Sequence, residues 1–182
     1  MDRTIIFVLC TLFFVVFSWR SLHNPKHHGF YRFFVFEGTL ILVLMNYPFW
    51  FTSPFSPLQL LSWTFLFTSI LFVLQGFLVL RKSGGSGHRK ANSENLRFEN
   101  TVNLVADGLY KHIRHPMYSS LLLLAWGAFL KNITIPGFLA VTITTAFLLA
   151  TAKTEERENI SFFGSRYQKY IKQTKMFLPY LL

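Results

Sequence analysis

The chain has 182 residues, of which 52% are hydrophobic and only 14% are charged, and its formal net charge is +10. Soluble domains usually carry about 25% charged residues, and the apolar residues here fall in long blocks, so an ordinary soluble domain is excluded. The single cysteine, Cys10, excludes an intrachain disulfide and a cluster of thiolate metal ligands. We therefore expect one integral membrane domain over residues 1–182. Its Lys and Arg residues lie between the apolar blocks, where such charge sets the orientation of a protein in the membrane. We therefore expect no nucleic-acid partner.

Three apolar blocks in the first part of the chain, residues 1–82, predict membrane helices at residues 4–19, 33–50 and 58–80. At about 1.5 Å of rise per residue, the third block is long enough to cross a hydrocarbon core of about 30 Å. The first block is followed by Arg20, Ser21, Leu22 and His23, which do not form the small-residue cleavage site of a signal peptide, so we expect that block to be retained. The polar stretch between the first two blocks, residues 20–32, is predicted to be a loop.

The rest of the chain predicts two further membrane helices joined as a hairpin. A polar connection and a charged motif occupy residues 83–116, and the hairpin follows at 117–152, with apolar blocks at 117–130 and 133–152. Pro116 suits the first turn of the leading helix, where a missing N–H does no harm. Residues 153–182 predict a helical tail at the membrane interface. The expected fold is all-α, with about five transmembrane helices, the last two a hairpin, and an interfacial C-terminal helical tail.

The distribution of basic residues predicts the orientation. Of the 18 Lys and Arg residues, all except Arg3 and Lys131 fall on one side of a five-helix topology. Because cytoplasmic loops carry an excess of Lys and Arg, we expect residues 83–116 and the C-terminal tail to be cytoplasmic. The protein is then a multi-pass integral membrane protein, in a bacterial cytoplasmic membrane or, failing that, the endoplasmic reticulum.

The charged motif is residues 104–118, LVADGLYKHIRHPMY, which places Lys111, His112, Arg114 and His115 directly before a membrane helix. Charge at that position is costly unless it meets water or a polar ligand. Glu155, Glu156 and Glu158 follow the fifth block, and the hairpin would bring them to Arg114 and His115. Such a pocket suits a zwitterionic or cationic small molecule. Charges that merely pin helix ends, in ion pairs worth about 0 to 1 kcal/mol, remain the alternative.

Three sequence features together resemble one family. They are GLYKHIRHPMY at residues 108–118, the pair of Glu155 and Glu156, and FFGSRYQKY, which is followed by Phe177, Leu178 and Pro179. This order is similar to the integral membrane methyltransferases typified by isoprenylcysteine carboxyl methyltransferase and the phospholipid methyltransferases, and the likeness covers residues 103–182. It implies S-adenosylmethionine as cofactor, S-adenosylhomocysteine as product and a hydrophobic or amphiphilic acceptor that is lipid-like or prenylated.

The resemblance also implies roles for individual residues. His115, Tyr118, Glu155 and Glu156 match the family's cofactor-binding positions, with Tyr110 and Pro116 in the same motif. Backbone around Val105, Gly108 and Leu109 would cradle the adenosyl group. We expect Glu156 to orient the cofactor or act as a general base, Arg114 to complete an anion-binding corner, and Tyr118 to pack on the adenosyl group. Candidates for the acceptor contact are Asn103, Arg157 and Asn159.

Two other interpretations remain. His23, His27 and His28 have the spacing of a histidine box in membrane di-iron enzymes, but Pro25 interrupts a helix there and the chain has only six histidines. We therefore expect no metal site and a loop of interfacial histidines. The second alternative is a scaffold of the same fold that binds the cofactor or nothing and performs no catalysis. The oligomeric state does not follow from the sequence.

Overall fold

The computed structural model describes residues 2–85 and 99–179. Six α-helices account for most of these residues, and they are α1 Arg3–Leu22, α2 His28–Asn46, α3 Pro57–Ser83, α4 Pro116–Phe129, α5 Ile135–Phe163 and α6 Ser165–Gln173. Short 3₁₀ helices lie at Tyr47–Phe49 and Gly108–Lys111. Most of the predicted polar connection, residues 86–98, and the end of the predicted tail, residues 180–182, lie outside the described residues. The prediction of an all-α membrane fold is confirmed.

Within the described residues, four helices have the length and apolar composition needed to cross a membrane, and they cover Arg3–Leu22, His28–Phe49, Pro57–Ser83 and Ile135–Phe163. The remaining predicted span, residues 117–130, is the shorter apolar helix α4. Its 14 residues cover about 21 Å at helical rise, which is less than a hydrocarbon core of about 30 Å. Pro116 occupies its first turn, as predicted.

Two boundaries differ from the sequence prediction. Residues 20–32 were expected as one loop, but α1 continues to Leu22 and α2 begins at His28. The side chain of His27 accepts a hydrogen bond from the N–H of Gly29 and so caps α2. At the other end, α5 does not stop near residue 152 but continues to Phe163. In both places the polar residues are helical because they pair with one another inside the protein.

Small residues bring the helices together in pairs. Helix α2 packs along α5, α3 packs along α4, and α1 lies against α2. A β-carbon on Gly38 of α2 would clash with the Thr144 side chain of α5. One on Gly127 of α4 would lie 3.0 Å from Leu66 of α3. Such close approach is the usual source of helix association in membranes, where van der Waals packing replaces the hydrophobic effect.

The end of the short helix α4 is completed by side chains from α2 and α3. The last carbonyls of a helix have no intrahelical donor, and lipid offers none. Ser62 Oγ donates to the carbonyl of Gly127 at 2.7 Å, and Asn46 Nδ2 donates to that of Ala128 at 3.0 Å. Gln59 Nε2 donates to the carbonyl of Lys131 at 2.9 Å. We call this region, where α4 turns into α5, the tip of the hairpin.

Candidate functional site

A cavity of about 230 Å³ lies at the opposite end of the bundle from the tip. We call this region the charged end. The apolar part of the cavity lining comes from α1, α2, α3 and α4, and it comprises Phe17, Phe36, Val73, Leu80, Met117 and Leu121. The polar part includes Arg32, Glu99, Asn103, Arg114, His115, Tyr118, Glu155 and Asn159. Aromatic residues of α5 and α6, namely Phe163, Tyr167 and Tyr170, close it. The cavity therefore joins an apolar surface to a cluster of buried charges.

The motif before α4 is held in place by the C-terminal segment. Ile113 and Lys175 form a parallel β-bridge. The N–H of Arg114 donates to the carbonyl of Lys175 at 2.8 Å, and that of His115 donates to the carbonyl of Met176 at 3.1 Å. The Tyr170 hydroxyl of α6 donates to the carbonyl of Tyr110 at 2.6 Å. The tail thus sets the backbone that carries Arg114 and His115.

The path of the chain into this arrangement depends on two glycines. Gly164 separates α5 from α6 with a φ of 61°, and Gly108 opens the 3₁₀ helix with a φ of 56°. Residues with a β-carbon rarely adopt this left-handed region. The turn at Gly164 folds α6 back, so that Tyr167 and Tyr170 are buried beside the motif.

Arg114 contacts both the end of α5 and the tail. Its Nε lies 2.5 Å from Glu156 Oε1. Its Nη1 donates to the carbonyl of Ile171 at 3.2 Å and also to that of Thr174. As the hairpin geometry predicts, a carboxylate at the end of α5 reaches the motif before α4. The guanidinium is nevertheless directed mainly at protein groups.

His115 lies between two carboxylates and an aromatic ring. Its Nδ1 is 3.7 Å from Glu155 Oε2, and its Nε2 is 3.4 Å from Glu156 Oε1. Its ring stacks on that of Tyr118 with centroids 5.3 Å apart. His115 is only 5% exposed, yet among the described residues its Nε2 has no hydrogen-bond partner. An unsatisfied buried polar atom costs about 1 to 3 kcal/mol, which indicates that a ligand can supply the partner.

The predicted site residues fall into two groups. Those that line the cavity are Val105, Tyr110, Arg114, His115, Tyr118 and Glu155. Those outside the described lining are Gly108, Leu109, Pro116 and Glu156. Among the candidates for the acceptor contact, Asn103 and Asn159 line the cavity, whereas Arg157 is exposed on α5 away from it. The individual roles of these residues stay predictions.

Helix α2 contributes to the site in a way that the sequence patterns did not predict. Arg32 pairs through Nη1 with Glu99, and both residues line the cavity. One helical turn earlier, His28 Nδ1 lies 2.7 Å from Glu158 Oε2 and His28 Nε2 lies 3.6 Å from Glu99 Oε2. Residues four apart share one helix face. An arginine at the edge of an apolar block was the available signal, because such charge is expensive in a membrane helix.

His27, His28 and Glu158 also approach one another closely enough to resemble a metal site. Hydrogen bonding accounts for this cluster. His27 Nδ1 accepts from the N–H of Gly29 at 3.1 Å, so the proton of the neutral ring belongs on Nε2. That nitrogen faces Glu158 Oε2 at 3.9 Å and has no lone pair to offer an ion. The backbone N–H of His28 completes the set by donating to Glu158 Oε1 at 2.9 Å.

Three tyrosines outside the membrane helices surround the cavity with neutral hydroxyls. Burial raises the pKa of Tyr110, and nearby Glu155 raises it further. Burial raises the pKa of Tyr167 and of Tyr170 as well. These side chains therefore add aromatic surface and hydrogen-bond donors but no charge at neutral pH.

Comparison with known proteins gives one family. A sequence model of the family described as phospholipid methyltransferase matches residues 61–166. The matched region runs from α3 through the motif, α4 and α5 into α6. No solved structure matches the chain significantly.

Individual relatives align over a shorter region. Methanethiol S-methyltransferase of Pseudomonas deceptionensis is 33% identical over 73 residues, which is 40% of this chain and 27% of that protein. Methanethiol S-methyltransferase 2 of Bradyrhizobium diazoefficiens is 36% identical over 40% of this chain and 27% of its own length. Protein-S-isoprenylcysteine O-methyltransferase of Schizosaccharomyces pombe is 32% identical over 42% of this chain and 33% of its own length. The chain thus spans about a third or less of these relatives.

Proposed function

Because this chain belongs to the phospholipid methyltransferase family, we propose that it transfers a methyl group from S-adenosylmethionine to a hydrophobic or amphiphilic acceptor. The cavity at the charged end is the proposed site. Relatives are named for a small thiol and for an isoprenylated cysteine, and both of these acceptors carry an apolar group. A lipid-like or prenylated acceptor, or a small apolar one, fits the apolar part of the lining.

The balance of charge around the cavity is the observation that carries this proposal. Arg32 pairs with Glu99, and Arg114 pairs with Glu156. Glu155 is a further carboxylate on the cavity wall. Among the described residues, three carboxylates and two guanidinium groups thus lie around the cavity, so one carboxylate is in excess. S-adenosylmethionine carries a sulfonium, an amino group and a carboxylate, so its net positive charge complements this excess.

The chemical groups around the cavity also fit such a cofactor, beyond the balance of charge. Glu155 would bind the amino group, and the unpartnered Nε2 of His115 offers a further polar contact. The stacked rings of His115 and Tyr118 present aromatic surface to a cation. Backbone from Val105 to Tyr110 would hold the adenosyl part. The cofactor supplies an electrophilic methyl group on a positively charged sulfur.

The chain's own contribution to the transfer is alignment and exclusion of water. Methyl transfer is an in-line displacement, which requires the acceptor directly behind the methyl group in a dry site. Phe36 and Leu121 belong to the apolar lining, where they would hold the acceptor and keep water out. Glu156 pairs with Arg114 and would hold its guanidinium in place. A general base is needed only where the acceptor loses a proton.

We also propose that residues 1–182 act as one membrane domain. In it, residues 1–82 and the hairpin 117–152 form the membrane part, and residues 83–116 and 153–182 complete the site at the cytoplasmic surface. The support is the distribution of Lys and Arg, which favours a cytoplasmic side for the charged end. The lipid environment is then the route by which an apolar acceptor reaches the cavity.

A transfer assay tests this function. Purified protein in nanodiscs is incubated with S-adenosylmethionine labelled in its methyl group, and with either a small thiol or a prenylated cysteine. We expect label in one acceptor, loss of transfer in His115→Ala and normal transfer in His112→Ala, because His112 is exposed. Wild-type protein that binds the cofactor but labels neither these acceptors nor its own lipids would favour a non-catalytic scaffold. Equal transfer by both variants would remove the assigned site.

A further inference from the structure

The two arginines of the cavity wall are used differently. The Arg114 Nε faces Glu156, and its Nη1 donates to two carbonyls, those of Ile171 and Thr174. Those contacts hold the tail against α5. Arg114 was the predicted anion-binding corner, and these protein partners take up its Nε and Nη1.

Arg32 has the opposite arrangement. It lies in the membrane helix α2, is 3% exposed and lines the cavity. Glu99 pairs with its Nη1, whereas its Nε has no hydrogen-bond partner among residues 2–85 and 99–179. A guanidinium presents its N–H groups as a planar fork that matches a carboxylate or phosphate. Leaving a buried charged donor unpaired is expensive, so the open donor is best explained by a ligand.

We propose that Arg32 is the residue that binds the anionic group of the ligand in this cavity. The proposal rests on the methyltransferase function proposed above and adds a binding residue on α2, outside the motif. The anionic group has two sources: the carboxylate of the cofactor's methionine part, or an acid group on the acceptor. Arg32 lines the cavity at the border of its apolar part, since its guanidinium lies 5.9 Å from the ring of Phe36, which belongs to the apolar lining. An anionic group of the cofactor or of an apolar acceptor can therefore reach Arg32.

The test of the cofactor source uses two probes that differ only in the carboxylate. S-adenosylhomocysteine and its decarboxylated analogue, which keeps the amine, are titrated by calorimetry into protein in nanodiscs. The variants are Arg32→Gln and the matched surface control Arg166→Gln, which removes an exposed arginine of α6. If Arg32 binds the cofactor carboxylate, Arg32→Gln weakens S-adenosylhomocysteine binding by about 10- to 100-fold. Binding of the analogue stays close to that of the control.

The test of the acceptor source uses octanoate and octanamide, titrated into nanodisc protein saturated with S-adenosylhomocysteine. If Arg32 binds an acid group of the acceptor, Arg32→Gln loses the preference for octanoate while its affinity for S-adenosylhomocysteine is unchanged. Partition of the probes into the bilayer is the same for Arg166→Gln and therefore cancels.

The double variant Arg32→Gln/Glu99→Gln guards against misfolding, because it removes both charges of the pair and leaves neither buried alone. Thermal unfolding establishes that each variant is folded. The inference is overturned if folded Arg32→Gln and the double variant bind S-adenosylhomocysteine and octanoate as Arg166→Gln does. Failure of wild-type protein to bind S-adenosylhomocysteine would instead overturn the proposed function itself. The octanoate and octanamide titrations, run without S-adenosylhomocysteine, would then still test whether Arg32 binds an acid group.

Discussion

The tip and the charged end of the bundle both bury a cation, and the difference between them shows what marks a site. At the tip, Lys131 is 3% exposed, its Nζ lies 3.6 Å from the centre of the Trp63 ring, and it donates to Gln59 Oε1 at 3.1 Å. At the charged end, Arg32 is equally buried, but its Nε has no described partner and it borders the cavity. Burial of charge inside the bundle is thus compatible with a purely structural role. A cavity and an unused donor beside the charge indicate a ligand.

The largest effect is expected for Arg114→Met at the charged end. The substitution leaves the half-buried Glu156 without its cation and releases the carbonyls of Ile171 and Thr174. Removing one partner of a fully buried pair destabilises by about 3 to 5 kcal/mol. This pair is partly buried, but two carbonyls also lose their donor, so we expect a loss of about 3 kcal/mol. We expect a lower thermal midpoint, faster proteolysis of the tail and loss of S-adenosylhomocysteine binding. The exposed Lys111→Met is the matched control, and equal behaviour of the two variants would contradict the structural role of Arg114.

Gln59→Leu at the tip should reduce stability and leave the ligand site intact. The variant loses the bond to the Lys131 carbonyl and the bond from Lys131 Nζ. Unmade buried hydrogen bonds cost about 1 to 3 kcal/mol, so thermal unfolding in detergent should occur at lower temperature. Calorimetry should give the wild-type affinity for S-adenosylhomocysteine. A tenfold loss of affinity would show that the tip and the charged end are coupled. That result would contradict a purely structural role for the tip.

Tyr170→Phe should have a smaller effect at the charged end. The variant keeps the ring but removes the hydroxyl that donates to the Tyr110 carbonyl at 2.6 Å. A single neutral hydrogen bond contributes about 0.5 to 1.5 kcal/mol. Limited proteolysis should show the tail cleaved faster than in wild type at unchanged global unfolding temperature. The exposed Lys169→Ala on the same helix should not change the cleavage rate.

The smallest effect is expected for Lys131→Met and depends on pH. Burial lowers the pKa of the Lys131 amine. Below the unfolded pKa of about 10.4, folding must desolvate the ammonium or release its proton. The wild type should therefore gain stability relative to Lys131→Met as the pH rises from about 7 toward 10. At pH 7 the two proteins should differ by about 1 kcal/mol or less, because lost cation–π attraction offsets the removed desolvation. Thermal unfolding at both pH values measures this, and a difference independent of pH would contradict it.

The sequence predicted what depends on local pattern. Apolar blocks gave the membrane helices, and the spacing from Arg114 and His115 to Glu155 and Glu156 predicted that the hairpin would bring these groups together. The apolar block at 117–130 predicted the 14-residue α4, but nothing in it predicted the completion of that helix by Asn46, Gln59 and Ser62. Those partners come from other helices, and no periodicity within one segment encodes them.

The contribution of α2 was missed for the same physical reason. A polar run such as residues 20–32 is typical of a loop when each residue is considered alone. His28 and Arg32 are helical because carboxylates from distant segments, Glu158 and Glu99, neutralise them inside the protein. Arg32 and Glu99 are separated by 67 positions in the chain. The extension of α5 to Phe163 follows from the same pairing, since Glu156 and Glu158 face partners within the fold.

Calorimetric titration of S-adenosylhomocysteine into wild-type protein, Glu155→Gln and Gln59→Leu tests the central claim most directly. Glu155 supplies the carboxylate in excess at the charged end, while Gln59 is a buried polar residue of the tip. We predict saturable binding to the wild type, affinity reduced about tenfold or more by Glu155→Gln, and no change with Gln59→Leu. Absence of binding to folded wild-type protein, or equal binding by Glu155→Gln, would contradict a methyl-donor site at the charged end.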